Sequence, residues 1–486
     1  MKTSTVIYGP PGTGKSTEII RRMAAAIERG IPAERIGLCS FTKAAAQELA
    51  HRVGVPPGRN IATLHSFAFR ACNMIREQVI DRPKLLEFSK ISKIETTGAS
   101  IYDQEQLGPG DYYLATYGYM RSIIESDTKK AFSATGAQGS LVEFEYFISV
   151  YEKWKKAYGY MDFSDMLEQA IDHEPPAVDI LFLDEAQDFS PSQWKLINSW
   201  LPHIDEVVLA LDDDQTLYKF TGADPDGGPA FEREHGSERV VLNKSYRVPS
   251  NIHSLATRLI HNVANRVDKQ YDPVAEGGIV RFYGNINPVA VPAPTDDVMI
   301  LFRNHSLRKE VEEWLMSRGV PYTTDNGAPG PLQNRSMAAI KAWRQAQQDF
   351  DKMGRLFLDN KKWAVLRRNC KPVHAQRFAR EEIEDIITRH WSQVINMAPP
   401  LAQYYRLVEA NHGRPDPETS IKLTTIHGSK GREADRVILL NAMSEKTAES
   451  ASHDPDPEIR AFYVGVTRAK KRLDIVNGDN PLKVLR

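Results

Sequence analysis

The chain has 486 residues and carries 62 lysine and arginine residues against 63 aspartate and glutamate residues, a formal net charge of −1. This balance excludes a polycation that binds nucleic acid by bulk charge, so any contact with nucleic acid has to come from a local site. The composition is 41% hydrophobic and 26% charged, as in globular proteins, and the length predicts two to four domains because one hydrophobic core rarely serves so many residues.

Targeting and redox features point to the cytoplasm. No stretch approaches the roughly 20 apolar residues of a membrane span, and a glycine-rich loop begins at Gly9, which leaves no room for a signal peptide. We therefore expect a cytoplasmic protein with no membrane partner. Cys39, Cys72 and Cys370 are odd in number and far apart, so we expect reduced core residues and neither a disulfide framework nor a zinc cluster.

The first half of the chain alternates between strand and helix patterns. Apolar residues 4–9 and 35–41 predict strands, and residues 16–29 and a stretch ending at Leu49 predict helices. This alternation predicts a parallel α/β sheet, which the strand patterns at 178–188, 206–214 and 239–246 are expected to extend. Residues 78–160 interrupt the alternation and predict an insertion, so the first domain is expected to comprise residues 1–77 and 161–255.

A second α/β unit follows a helical stretch at residues 251–264. Strand patterns at 279–284, 297–303 and 320–324 flank a helical pattern at 306–319, and further strands are predicted at 421–428, 436–442 and 472–478. A polar, helix-rich segment separates the two groups. The second domain is therefore expected to comprise residues 256–334 and 416–486, with an insertion at 335–415. The predicted fold class is α/β, with two parallel-sheet domains that are each interrupted by a mainly helical insertion.

A phosphate-binding loop is predicted at the first strand-to-helix junction. Residues 9–16 read GPPGTGKS, which matches G-x-x-x-x-G-K-S and follows a predicted strand, as the pattern requires. We expect the backbone N–H groups to cradle the phosphates of ATP, Lys15 to neutralise the β and γ oxygens, and Ser16 to bind Mg²⁺ at the helix N-terminus. The expected nucleotide contacts are Gly9, Pro10, Pro11, Gly12, Thr13, Gly14, Lys15, Ser16 and Thr17.

Two acidic residues end a later apolar strand. The segment LFLDEAQD places Asp184 and Glu185 where open α/β sheets bind their ligands. We expect Asp184 to bind Mg²⁺ and Glu185 to polarise the attacking water. An acidic pair in this position is also compatible with a solvated loop, but the phosphate-binding loop earlier in the same sheet favours the catalytic interpretation.

Ten segments, taken in chain order, resemble the motif series of the UvrD/Rep-like superfamily 1A DNA helicases. They are GPPGTGKS (9–16), FTKAAAQEL (41–49), TLHSFAFR (63–70), MDFSDML (161–167), DEAQD (184–188), LDDDQTLYKFTGAD (211–224), SYR (245–247), LFR (301–303), TTIHGSKGREADRVIL (424–439) and YVGVTRAKKRL (463–473). The resemblance covers nearly the whole chain. It implies two RecA-like domains with ATP bound between them and single-stranded DNA crossing their upper surface.

The resemblance also assigns roles around the nucleotide. It implies that Gln215 senses the γ-phosphate, that Tyr246 stacks on the adenine, and that Arg247 and Arg468 are arginine fingers. Guanidinium groups suit this last role because they stabilise the charge of the transferring phosphoryl group. Since Arg468 belongs to the second domain, hydrolysis would require closure of the cleft. Glu433 and Lys430 resemble second-domain residues near the nucleotide and the DNA path.

On the DNA side the resemblance implies contacts through Phe41, Thr63, His65, Tyr218, Phe220, Arg303 and His427. Aromatic faces can stack on any base and so bind a strand without sequence preference, which suits a chain of nearly neutral charge. For Phe41 and Phe220, packing in the core is the alternative.

The sequence departs from the family pattern in places. Leu211 replaces a glycine, and Thr221 replaces an arginine beside the base-stacking edge, which predicts a weaker grip on DNA there. The lysine of the second motif is shifted to Lys43. The insertion at 335–415, about 80 residues, is shorter than usual and predicts reduced duplex or partner contacts. The glutamine-containing segment that the family carries upstream of the phosphate-binding loop is absent, so we expect weak discrimination between purine nucleotides.

Together these observations predict an ATP- and Mg²⁺-dependent DNA helicase. We expect it to translocate on single-stranded DNA from 3′ to 5′, a polarity that only the resemblance implies, and to act on 3′-tailed duplexes. We expect a monomer in isolation, with replication or repair proteins as partners. Two alternatives remain open: a translocase that displaces proteins without unwinding duplex, and a DNA-stimulated ATPase that switches a partner.

Overall fold

A computed structural model describes residues 1–40, 49, 51–52, 60–98, 107–325, 330–356, 358–483 and 485. The chain divides into two compact units, Met1–Gly277 with His453–Thr467, and Gly278–Ser452 with Arg468–Arg486. This division differs from the expected domain boundaries. Residues 256–277 group with the first unit, as do residues 453–467, which the sequence suggested for the second domain.

The first unit is built on a fully parallel six-stranded sheet in the order β3-β2-β4-β5-β1-β6. Its strands are β1 Thr3–Tyr8, β2 Ile36–Cys39, β3 Ile61–Ala62, β4 Ile180–Asp184, β5 Glu206–Leu211 and β6 Glu238–Val241. Strands β2 and β4 are buried along their whole length, and β1 and β5 at every residue but the first. Continuous apolar runs are typical of parallel strands that are covered on both faces.

Helices cover this sheet and form the first insertion. They are α1 Lys15–Glu28, α2 Leu64–Ala71, α3 Arg82–Ser92, α4 Pro109–Ser122, α5 Thr128–Thr135, α6 Leu141–Tyr158, α7 Phe163–Ala170, α8 Pro191–Trp200, α9 Gly227–His235 and α10 Ser250–Ile260. Helices α3 to α6 share an aromatic core of their own that includes Phe88, Phe147 and Trp154. The predicted insertion is therefore a helical subdomain within the first unit.

A buried lysine joins the insertion to the start of α7. The ammonium group of Lys155, on α6, lies 2.8 Å from a carboxylate oxygen of Glu152, 2.9 Å from Asp162 and 2.8 Å from Asp165. Burial alone would lower the pKa of Lys155, but the neighbouring carboxylates raise it above its ordinary value, so the lysine stays charged.

The strand predicted at 239–246 is wrong in its second half. Residues 238–241 form the edge strand β6, but Lys244–Ser245 (β7) leave the sheet and pair in parallel with Asp272–Pro273 (β8). The two-residue break redirects the chain toward the phosphate-binding loop, where the Ser245 hydroxyl donates to the carbonyl of Pro11 at 2.7 Å.

The second unit contains another fully parallel six-stranded sheet, in the order β11-β12-β10-β13-β14-β9. The strands are β9 Ile279–Tyr283, β10 Val298–Phe302, β11 Thr323–Thr324, β12 Ile421–Thr425, β13 Ala434–Asn441 and β14 Ala469–Asn477. The helices are α11 Arg308–Ser317, α12 Arg335–Met353, α13 Asn360–Asn369, α14 Ala375–Arg380, α15 Trp391–Val394, α16 Pro399–His412 and α17 Glu445–His453. A last helix, α18 Asp456–Val466, packs with the first unit.

The second insertion is continuous with its sheet. Trp343 and Tyr405, from the insertion, lie in one hydrophobic core with Leu423 and Ile438, from the strands. The predicted fold class, α/β with two parallel sheets and helical insertions, is thus confirmed. Within the described ranges, no helix combines the length and the apolar character that crossing a membrane requires. The three cysteines form no disulfide, and Cys39 and Cys370 are buried as expected.

Candidate functional site

The motif residues of the first unit follow the carboxyl ends of its strands. Across β5, Asp184 at the end of β4 lies opposite Ala210, and Tyr8 at the end of β1 lies opposite Leu211. The N–H of Gly9 donates to the carbonyl of Leu211 at 3.0 Å. The loops after β1, β4 and β5 therefore start at the same edge of the sheet, where open α/β sheets bind ligands.

The loop at residues 9–16 wraps around the side chain of Lys15. Gly12 and Gly14 adopt φ values of 73° and 86°, a region that favours glycine. A Cβ atom on Gly9 would lie 2.0 Å from the Cγ atom of Lys15, so only glycine fits there. The Lys15 ammonium donates to the carbonyl of Gly9 at 2.6 Å, and the Thr13 hydroxyl donates to the carbonyl of Pro10 at 2.7 Å.

The segment that carries Tyr246 and Arg247 lies against this loop. The N–H of Tyr246 donates to the carbonyl of Gly12 at 2.9 Å. A Cβ atom on Gly12 would lie 2.4 Å from the Cβ atom of Arg247, so the two backbones approach closely. The Tyr246 ring is 69% exposed and therefore has a free face. The structure thus brings both residues to the phosphate-binding loop.

The carboxylate of Glu185, the second acid of the pair, is held by a buried amide. Asp184 is buried at the end of β4, and Glu185 adopts φ 55°, an uncommon conformation for a residue with a side chain. The amide of Gln187 donates to Oε2 of Glu185 at 2.5 Å, and its Oε1 atom accepts from the N–H of Asp212 at 3.0 Å. This side chain therefore links the acidic pair to the loop after β5.

The residues at this edge fit a magnesium ion held mainly by its substrate. Ser16 is the second residue of α1 and Asp184 ends β4, and hydroxyl and carboxylate oxygens are ligands that Mg²⁺ accepts. Within the described ranges, no group of three or more His, Cys, Asp or Glu side chains could hold a metal alone. This agrees with a site in which one or two protein oxygens act together with substrate phosphates.

Three consecutive aspartates after β5 surround a lysine that the sequence reasoning missed. The Lys269 ammonium lies 3.3 Å from Asp212, 2.6 Å from Asp213 and 2.8 Å from Asp214, and all four residues are buried. Burial alone would lower the pKa of Lys269, but the three carboxylates raise it above its ordinary value. The run of three aspartates was the only signal of this cluster in the sequence. Lys269 lies in a connection without helix or strand periodicity, so nothing marked it as their partner.

Gln215 is held within the same cluster. Its amide donates to Oδ2 of Asp212 at 2.6 Å, in a short helical turn at Asp213–Gln215. Arg266 is a second cation in this cluster, and its guanidinium donates to the carboxylate of Asp214 at 3.0 and 2.7 Å.

The residues of the first unit that are predicted to contact single-stranded DNA have different environments. Thr63 caps α2, since its Oγ1 atom accepts from the N–H of Ser66 at 3.3 Å. His65 makes an edge contact with the ring of Phe163 at 5.2 Å between centroids, and burial lowers the pKa of His65 to about 4. Phe163 is 58% exposed and was not predicted as a contact, although it lies in the MDFSDML segment. Phe41 falls outside the described residues, as does the shifted Lys43.

The predicted aromatic pair after β5 is partly open to solvent. The rings of Tyr218 and Phe220 make an edge contact at 6.1 Å, and neither residue belongs to the buried core. Core packing, the alternative interpretation for Phe220, therefore accounts for only part of its surface.

In the second unit, two residues that are predicted to contact DNA follow β-strands that end at the same edge of the sheet. Arg303 follows β10 and His427 follows β12, and these strands are parallel neighbours joined at their ends by the Ile426 N–H, which donates to the carbonyl of Phe302 at 2.9 Å. Lys430 and Glu433 lie in the next loop, and Glu433 is exposed.

Arg468 precedes β14 and is buried, at 1% exposure. Its Nη1 atom donates to the carbonyl of Arg432 at 3.3 Å, and its own carbonyl accepts from the N–H of Ala434 at 3.0 Å. The guanidinium thus rests on the loop that carries Glu433.

Comparisons with known proteins point in one direction. Residues 1–235 match the family described as UvrD/REP helicase N-terminal domain, and residues 373–478 match the UvrD-like helicase C-terminal domain. The chain is 26% identical to the ATP-dependent DNA helicase UvrD2 of Mycobacterium bovis, over 95% of this chain and 75% of the relative. It is 23% identical to the putative ATP-dependent DNA helicase YjcD of Bacillus subtilis, over 97% and 77%. It is 24% identical to DNA helicase II of Escherichia coli over 67% of this chain, and this match spans about half of that protein.

Proposed function

The chain belongs to the UvrD/Rep-like helicases of superfamily 1 and is an ATP-dependent DNA helicase, and from this premise we propose that it moves along single-stranded DNA from 3′ to 5′ and separates 3′-tailed duplexes. The observation that carries the ATP-hydrolysing part of this function is the edge of the first sheet. At this edge the phosphate-binding loop, the acidic pair and the loop that carries Gln215 follow neighbouring strands. Arg247 packs against Gly12 of the phosphate-binding loop.

For the chemistry, each group at this edge has a role that its position supports. The loop amides and Lys15 would bind the phosphates of ATP, and Ser16 and Asp184 would hold Mg²⁺, which would supply charge neutralisation for the phosphates. Glu185 accepts a proton from the attacking water, and the Gln187 amide fixes its carboxylate.

Arginine and glutamine side chains complete the proposed site. Gln215 reads the γ-phosphate, and Arg247 stabilises the negative charge that spreads over the transferring phosphoryl group. We assign the same role to Arg468. Tyr246, with its exposed ring, stacks on the base, and the family resemblance supports a role beside the nucleotide for Glu433.

Aromatic side chains and a neutral histidine support binding of single-stranded DNA by stacking. Tyr218, Phe220 and Phe163 present partly open rings on the first unit, and His65 is neutral at physiological pH because its pKa is lowered. Rings of this kind bind single strands with little sequence preference. In the second unit, Arg303 and His427 supply further contacts. The direction of movement rests on the family resemblance.

The proposal extends to partners only in outline. We propose that the protein acts as a monomer and that replication or repair proteins direct it to DNA. Thr221, where the family has an arginine, supports a second candidate, a translocase that displaces bound proteins without unwinding duplex.

One experiment separates these activities. Strand separation is measured on duplexes with a 3′ tail, a 5′ tail or no tail, beside displacement of a protein bound to single-stranded DNA, with ATPase rates measured in parallel. We expect unwinding of the 3′-tailed duplex alone. Glu185→Gln, which preserves shape and removes the base, should lose about 10²- to 10⁴-fold in kcat and bind DNA normally. Unwinding of the 5′-tailed duplex would overturn the polarity, and displacement without strand separation would favour the second candidate.

A further inference from the structure

Residues 264–274, which we name the strap, contact helix α18, the loop after β5 and the segment before Tyr246, all within the first unit. At one end, the N–H groups of Ala264 and Asn265 donate to the carboxylate of Asp456, on α18, at 3.1 to 3.4 Å. At the other end, Asp272–Pro273 pair with Lys244–Ser245, directly before Tyr246. The strap thus joins the helix that precedes Arg468 to the segment that carries Arg247.

The middle of the strap holds the loop after β5. The N–H of Val267 donates to Oδ2 of Asp213 at 2.7 Å, and Arg266 binds Asp214 through two bonds. The Lys269 ammonium contacts all three consecutive carboxylates. Three buried carboxylates at adjacent positions repel one another, so they share this loop only with cations inserted between them.

Two short paths, each made of one ion pair followed by hydrogen bonds, lead from Lys269 to proposed reacting groups. In the first, Lys269 contacts Asp212, and Oδ2 of Asp212 accepts from the amide of Gln215 at 2.6 Å. In the second, the N–H of Asp212 donates to Oε1 of Gln187 at 3.0 Å, and the same amide donates to Glu185 at 2.5 Å. Asp212 is therefore the branch point between the buried lysine and both groups.

From these contacts we propose that Lys269 is a positioning residue for ATP hydrolysis. By fixing Asp212, it sets the orientation of Gln215 and, through Gln187, that of Glu185. The inference rests on the proposed function, because it concerns how that site is held. It adds a residue from the strap that acts on the site through Asp212.

A matched lysine allows the positioning role to be separated from stability. Lys155 is also buried and also contacts three carboxylates, but it lies in the first insertion, between α6 and α7. Removal of either ammonium leaves uncompensated buried carboxylates, so both substitutions should lower the melting temperature. Of these two lysines, Lys269 is the one that the contacts of the described residues connect, through Asp212, to Gln215 and Glu185.

The test compares steady-state ATPase kinetics without DNA, together with thermal melting, for the wild type and three variants. Lys269→Met should lower kcat by about tenfold or more and change KM for ATP by less than about threefold, because the lost orientation matters in the transition state. Lys269→Arg, which keeps the charge, should recover at least about threefold of that loss. Lys155→Met should melt at a lower temperature with kcat within about threefold of the wild type.

A fourth variant keeps the proposal falsifiable if Lys269→Met does not fold. Asp212→Asn removes the carboxylate that joins Lys269 to Gln215 but leaves two carboxylates for the lysine, so it should fold and still lower kcat by about tenfold. If Lys269→Met folds and keeps kcat as Lys155→Met does, or if Asp212→Asn is as active as the wild type, the positioning role is wrong. A wild type without ATPase activity would overturn the proposed function itself, and the role of Lys269 with it.

Discussion

The close approach of Gly12 to the Arg247 segment predicts how the phosphate-binding loop responds to a single methyl group. In Gly12→Ala the new Cβ would lie 2.4 Å from the Cβ atom of Arg247 and 3.0 Å from its backbone nitrogen, at φ 73°. The positive φ costs roughly 1 to 2 kcal/mol for any residue with a Cβ atom. Displacing the packed neighbour adds about 1 to 3 kcal/mol, so the free energy of unfolding should fall by about 2 to 5 kcal/mol.

Gly14→Ala is the matched control within the same loop. Gly14 has φ 86°, but a Cβ atom there would meet nothing closer than the Cβ atom of Thr17 at 3.8 Å, which is ordinary contact. This variant therefore pays the backbone strain alone, about 1 to 2 kcal/mol. The difference between the two variants isolates the contact between the loop and the Arg247 segment.

Urea unfolding of the ATP-free proteins measures that difference. Both glycines lie in the first unit, so the comparison uses the unfolding transition whose midpoint changes in the variants. Unchanged m values would show that the shift in midpoint reports a change in stability. Gly12→Ala should be less stable than Gly14→Ala by about 1 to 3 kcal/mol. Equal stabilities, within about 0.5 kcal/mol, would refute the packing of Arg247 against the loop.

Three further outcomes follow from the proposed site. Arg468→Ala should lower kcat far more than it raises KM for ATP, because its charge is needed mainly in the transition state; steady-state kinetics check this, and a change in KM alone would make it a binding residue. Tyr218→Ala should weaken single-stranded DNA binding by about 1 to 3 kcal/mol in a fluorescence titration without lowering the melting temperature, whereas a lower melting temperature would indicate core packing. His65 has a folded pKa of about 4, below its ordinary value, so protonation favours the unfolded chain. The wild type should therefore lose up to about 3 kcal/mol of stability relative to His65→Gln as the pH falls from 6.5 to 4, and parallel pH profiles of unfolding would contradict this.

Local patterns account for what the sequence predicted well. Strands such as Ile180–Asp184 are continuous apolar runs in a covered parallel sheet, and the loop at residues 9–16 needs glycine at particular positions for backbone reasons. Both signals are contained in fewer than about ten neighbouring residues, so they can be read without knowing the fold.

Features that depend on distant partners could not be predicted in this way. Lys269 lies 54 residues after Gln215 in the sequence, and nothing in the surrounding segment marks it as a partner of the three aspartates. The break between β6 and β7 depends on a bond from Ser245 to Pro11, and the placement of α18 in the first unit depends on Asp456 meeting the strap. In each case a tertiary contact decided the outcome, and local propensity did not.

The short distance along the chain between Gln215 and Tyr218 bears on how the two proposed activities are connected. Gln215 ends one tight turn and Tyr218 immediately precedes the next, Lys219–Thr221, while the hydroxyl of Thr216, between them, donates to the carbonyl of Asp213 at 3.0 Å. Lys269 contacts Asp213 and Asp214 of the first turn, so a shift of Gln215 toward a phosphate would have to be accommodated within the few residues before Tyr218. If binding of a strand at Tyr218 favours one position of Gln215, then nucleotide at Gln215 must change strand affinity by the same factor, since coupling between two binding sites is reciprocal. A translocating enzyme needs such coupling in each cycle, and along this segment only Thr216 and Leu217 separate the two residues.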